Sequence, residues 1–156
     1  MSTLKKVFVL LLCIFLLAGC GHRDEAPTVS EIAEDLIALS SDDITWVEIS
    51  SAKISSYFGF DSEKVEDFKG YINDSEENYD IIAVFDTENR NDVITGINLL
   101  VADRENTYKV ASENVFSKIS QKVIAEKDDI IILCITDNYS KTRKYISEEL
   151  DAKIIS

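Results

Sequence analysis

Twenty-nine acidic residues, three cysteines and one histidine are the groups with which this 156-residue chain could do chemistry. His22 lies in the polar stretch Gly21–Pro27, so every residue beyond it lacks the imidazole that a triad or a histidine general base requires. Zinc is equally disfavoured, because Cys134 is the one cysteine left beyond residue 22 and a usual site needs several Cys or His ligands. Calcium has two oxygen-rich candidates, Asp74-x-Glu76-x-Asn78-x-Asp80 and Asp86-x-Glu88-x-Arg90-x-Asp92. An EF-hand-type loop also needs Gly at its sixth place and Glu at its twelfth. Those places hold Tyr79 and Phe85 in the first candidate and Asn91 and Ile97 in the second, so both read as solvated turns. No Gly-rich phosphate loop is present, and the sequence calls for no cofactor and no metal. Two carboxylates would suffice for a glycosidase, but 29 acids make some close pair inevitable, so pairing alone is no signal.

Cys20 stands apart because of what precedes it. Lys5 and Lys6 are followed by the unbroken apolar run from Val7 to Leu17, and Leu17-Ala18-Gly19-Cys20 closes it. A positive start, an apolar stretch of about 7–15 residues and small residues at the exit form a secretory signal. A membrane span needs about 20 apolar residues, more than this run supplies. Its end resembles the lipobox of bacterial lipoproteins. That resemblance implies a diacylglyceryl group on the Cys20 thiol and cleavage just before it. The expected organisation is a signal over 1–19, a lipid-anchored tether over 20–27 and one domain over 28–156, outside the cytoplasm and held to a bacterial membrane. Two acyl chains on one residue suit durable anchoring, since each buried methylene contributes about 0.8 kcal/mol and one myristoyl-length chain holds only marginally. Cys13 would leave with the signal and Cys20 would be acylated, so Cys134 would have no disulfide partner. Within Ile131-Ile132-Leu133-Cys134-Ile135 it reads as a small buried hydrophobe.

Loss of residues 1–19 would remove Lys5 and Lys6, leaving 14 basic against 29 acidic residues, a net of −15. Such a charge disfavours nucleic acid, whose phosphates must be met by clustered Lys and Arg. The remaining 137 residues suit a single domain with a real core.

The elements that would position these groups follow from periodicity. Thr28-Val29-Ser30-Glu31 fits a capping box, and Val29, Ile32, Ala33, Leu36 and Ile37 keep helical spacing as far as Leu39. Ile44–Ile49 reads as a short strand or an extended lead-in, and Ser51–Phe58 as a short helix stopped at Gly59. Glu66–Ile72 alternates as a strand, with Phe68, Gly70 and Ile72 on one face and Lys69 and Tyr71 on the other. Tyr79–Phe85 is apolar without a polar face, as a central strand covered on both sides would be. Val93, Ile97, Leu100, Val101, Arg104 and Tyr108 keep the spacing of the longest helix, although Gly96 weakens it by about 1 kcal/mol relative to Ala. A bend at Ser112 would start a second helix carrying Val115, Phe116 and Ile119. Lys122–Glu126 and Asp129–Thr136 form a hairpin around Lys127-Asp128. Asp137-Asn138 would cap a last helix with Tyr145, Ile146, Leu150 and Ile154 facing inward. The prediction is an α+β domain, an antiparallel sheet of about four strands with helices packed on it.

Ser30-Glu31-Ile32-Ala33, Tyr57-Phe58-Gly59-Phe60-Asp61 and Asp80-Ile81-Ile82-Ala83-Val84-Phe85 before the long helix, together with the late hairpin, carry a second resemblance. The chain resembles a family of small bacterial lipoproteins, family forty-three fifty-eight in the series of domains of unknown function. It departs from that pattern at the late hairpin, where Lys127-Asp128-Asp129 stands in place of a Gly-bearing turn. The resemblance implies an exported, membrane-anchored domain and brings no catalytic residues. The expected function is a non-enzymatic binding or interaction domain of the cell envelope, with a protein or glycan partner. The alternative is a small carboxylate-based hydrolase acting on an envelope glycan.

Overall fold

The computed structural model describes residues 26–75 and 77–156. The signal over 1–19, the acylation at Cys20, His22 and Glu76 lie outside the described residues. Among those described, no helix is long and apolar enough to cross a membrane.

Helix α1 (Val29–Ala38) opens on the predicted capping box: the Thr28 hydroxyl accepts from the Glu31 backbone N–H, and the Glu31 carboxylate accepts from the Thr28 N–H. Its buried stripe is Val29, Ile32, Ala33 and Leu36. Strand β1 (Val47–Ile49) follows, then a 3₁₀ turn (Ser51–Lys53) and α2 (Ile54–Phe58). Gly59 ends α2 in the left-handed conformation, φ 74°, where a Cβ would be strained. Next come β2 (Asp67–Ser75), β3 (Asn78–Asp86), the long α3 (Arg90–Ala111) and α4 (Glu113–Ser120). The bend between the two helices falls at Ser112, whose extended backbone breaks the helix and whose hydroxyl caps the Val115 N–H. Strands β4 (Val123–Lys127) and β5 (Ile130–Ile135), helix α5 (Tyr139–Lys144), a π turn (Tyr145–Glu149) and β6 (Lys153–Ile154) complete the chain.

All six strands form one antiparallel sheet in the order β1-β2-β3-β5-β4-β6, and the fold is α+β with helices packed on the sheet. The sheet has six strands rather than about four: the stretch read as a short strand or an extended lead-in contributes the three residues of β1, and the two-residue β6 is too short to leave a periodic trace. Ile154, expected on the last helix, instead pairs with Ala125 in β6. The cause is Asp151, at φ 53°: it ends the helical turn in the left-handed conformation, and the Ala152 N–H closes back on the Ile146 carbonyl. Asp128, at φ 50°, makes the late hairpin in the same way, so an aspartate supplies the conformation for which a glycine was expected.

Strand alternation divides the core in two. Tyr79, Ile81, Ala83 and Phe85 of β3 join Ile97, Val101 and Ile119 of α3 and α4. Ile82 and Val84 turn to the other face, toward Leu36 of α1 and Ile146. Helices therefore cover both faces, and β3 and β5 are fully enclosed, as their uninterrupted apolar sequences predict.

Candidate functional site

A concave groove opens between α2 and α3. The helices meet at Gly96, where a Cβ would be driven into the Phe58 backbone carbonyl and the Phe60 ring, so glycine is what permits the approach. Beyond that contact the surface hollows to about 520 Å³. Phe58 and Leu100, both buried, and Tyr57 and Leu99 supply its apolar lining; Leu99 is 64% exposed, unusual for a leucine in mid-helix. Lys53, Asp103 and Arg104 supply its charge. Lys53 is exposed and makes no ion pair with the described residues.

Arg104 is the least satisfied of these groups. Its guanidinium lies over the Tyr79 ring, 5.3 Å from the centroid, and reaches Asp74 at a long 3.8 Å. Its Nε is buried without a hydrogen-bond partner, and so is the neighbouring Tyr79 hydroxyl. Burial pushes the Tyr79 phenol well above its ordinary value, against the pull of the Arg104 charge. Tyr108 donates to the Ser75 carbonyl at 3.0 Å, fastening α3 to the end of β2 beside this cluster.

A second polar centre is closed rather than open. Lys118 of α4 donates to Asp80 Oδ1 at 2.7 Å and to Asn78 Oδ1, and its ammonium forms an ion pair with Asp137 Oδ1 at 3.0 Å. Asp80 has no exposed surface, and its other oxygen accepts from Asn73 Nδ2 at 3.2 Å. Desolvation raises the Asp80 pKa above its ordinary value, with the Lys118 ammonium opposing it. The ammonium sits between two carboxylates and offsets one of their two charges, and the cluster ties α4 to the ends of β3 and β5.

The oxygen-rich spacings singled out in the sequence are taken apart by the fold. Asp74 joins Arg104 and Tyr108, whereas Asn78 and Asp80 meet Lys118. In the second candidate, Arg90 pairs with Glu126 and Asp92 with Lys64 at 2.5 Å. No group of three or more His, Cys, Asp or Glu among the described residues could hold a metal ion. Cys134 is buried in β5, its thiol pushed up to about 12 by burial. Sequence reasoning did not single out the groove residues. Tyr57, Phe58, Gly59, Gly96 and Leu100 read there only as parts of helices, and the trace that could have marked a site is Arg104, a cation on the inward stripe of α3 among Val, Ile, Leu and Tyr.

Compared with protein-family models, with curated proteins and with solved structures, the chain matches none.

Proposed function

We propose that this protein is a membrane-anchored bacterial lipoprotein, held by acylated Cys20, whose folded domain binds an envelope component and catalyses no reaction. The anchor rests on the Leu17-Ala18-Gly19-Cys20 pattern behind its apolar run and on the resemblance to small bacterial lipoproteins. One observation carries the binding reading: the concave surface offers an apolar lining and two cations beside a single carboxylate, Asp103. Such a lining, with a few polar groups placed to orient a ligand, is how small-ligand sites are built. The hydrolase reading has Asp80 and Asp137 behind it, a carboxylate pair with one desolvated member. Asp80, the desolvated member, has no exposed surface and is held by the Lys118 ammonium, which counts against its exchanging a proton with a substrate.

Two measurements test this. Cys20→Ala should abolish palmitate incorporation and move the protein out of the membrane fraction; retention there with unchanged mass would make the N-terminal stretch a true anchor helix. Turnover of an envelope glycan by the purified protein, lost in Asp80→Asn, would replace the binding reading with the hydrolase.

A further inference from the structure

We propose that the groove between α2 and α3 takes a small ligand with an anionic head and an apolar body, the head on Arg104 and Lys53 and the body along Tyr57, Leu99 and Leu100. This rests on the binding reading and names the ligand class that the site fits. Its volume, about 520 Å³, is that of a small-molecule site rather than a macromolecular interface.

The two cations fix the sign of the head. Arg104 presents a planar fork of donors, the side chain best matched to carboxylate or phosphate. Its ion pair with Asp74 is stretched to 3.8 Å and a quarter of its side chain is exposed, so terminal donors of the guanidinium remain for a ligand, while the Nε is buried beneath them. The Tyr79 ring holds the guanidinium from one side, which fixes its orientation in advance. Lys53, five residues before Phe58, and Arg104, eight residues beyond Gly96, line the same hollow away from the Phe58–Gly96 contact. In a chain of net charge −13, the hollow itself is lined by two cations and one acid, with Asp74 outside the lining at 3.8 Å from Arg104.

The apolar component is set by Leu99. A leucine 64% exposed on the outer side of α3, next to the half-buried Tyr57, leaves apolar surface in water that a ligand body would cover. Asp103 stands beside the cations and disfavours a dianion relative to a monoanion.

The test uses the full chain in lipid nanodiscs and three water-soluble probes: 4-phenylbutanoate, phenyl phosphate and the neutral isostere 4-phenylbutanamide. Binding is followed by amide chemical shifts. Saturable shifts confined to residues 53–59 and 96–104, with 4-phenylbutanoate at least tenfold tighter than the amide, are expected, since a charge-assisted hydrogen bond is worth about that factor. Phenyl phosphate, largely a dianion near pH 7, distinguishes the source of the head: with Asp103 beside the cations it should bind more weakly than the carboxylate, and tighter binding would point to a phosphate ligand and overturn the monoanion preference. Lys53→Glu and Leu99→Glu, both at exposed positions, should each weaken 4-phenylbutanoate about tenfold with amide spectra otherwise unchanged. Arg104→Gln should remove the preference for the acid over the amide. Equal affinities for acid and amide, or binding indifferent to Lys53→Glu and Leu99→Glu, would overturn the assignment. If no probe binds while these variants still lose an envelope partner recovered with the wild type, the ligand class fails and the binding reading survives. If neither is seen, both fall.

Discussion

Replacing Lys118 by Met should be among the most damaging single changes in the domain, and the damage should depend on pH in a defined direction. Among the described residues Lys118 is the one cation on Asp80, which has no exposed surface. Breaking a buried pair by removing one partner costs about 3–5 kcal/mol, because the remaining charge keeps its desolvation penalty without compensation. Against a total stability of about 5–15 kcal/mol for a domain, that is a large fraction. Asp80 can escape by taking a proton, and burial already raises its pKa with Lys118 in place. With the ammonium gone, the folded-state pKa should rise further. A carboxyl whose folded pKa lies above its unfolded value contributes most stability below the unfolded value and loses it as pH rises through the folded one. The deficit of Lys118→Met relative to wild type should therefore be small near pH 4 and grow toward pH 7.

Urea denaturation at several pH values measures this directly. Asp80→Asn/Lys118→Met supplies the control: with no carboxylate left to bury, its pH-dependent deficit should disappear even if a fixed cost remains. A Lys118→Met deficit under about 1 kcal/mol at pH 7, or one that shrinks as pH rises, would refute the reasoning. Either result would mean that Asp80 is solvated in a way its burial denies.

Ile82 and Ile132 lie on the adjacent strands β3 and β5 with almost no exposed surface, so Asp at either should unfold the domain; near-wild-type urea midpoints would contradict the paired central strands. Gly96→Ala gains about 1 kcal/mol in helix propensity, but the clash with the Phe58 carbonyl and Phe60 ring should outweigh it, giving a net loss in thermal melting. Native Cys134 should resist thiol reagents at pH 8 and react once urea unfolds the chain; rapid labelling of the folded protein would show that β5 opens.

What the sequence revealed and what it hid divides along physical lines. Wherever burial is periodic the reading holds: the α1 stripe, the two faces of β2, the enclosed β3 and the bend at Ser112 all leave marks at fixed spacings. Of the outer strands, Val47–Ile49 falls within the stretch read as a short strand or an extended lead-in, whereas Lys153–Ile154 is hidden because two residues are shorter than one useful period. Asp151 is hidden for another reason. Aspartate takes the left-handed conformation only in context, so nothing local marks it as the end of a helix, whereas Gly59 announces itself. The groove was the hardest to see, since it arises where two helices thirty-odd residues apart meet on a glycine. Gly96 looked like a flaw in α3 and is the residue that brings the helices together.

The net charge of the chain and the local charge of the groove act on different ligands. A net −15 on the processed chain would favour a basic or neutral partner, and that inference holds for contacts anywhere on the acidic surface. It does not hold inside the groove, because screening at physiological salt cuts long-range fields to about 8 Å and leaves Lys53 and Arg104 to govern what approaches them. The two kinds of ligand then respond to salt with opposite sign. A basic partner is drawn in by the whole surface, so raising ionic strength slows its association. An anionic ligand for the groove is repelled by that surface and attracted only at close range, so moderate salt should speed its arrival. Association rates measured from low to physiological salt thus report which charge the bound molecule carries, before its identity is known.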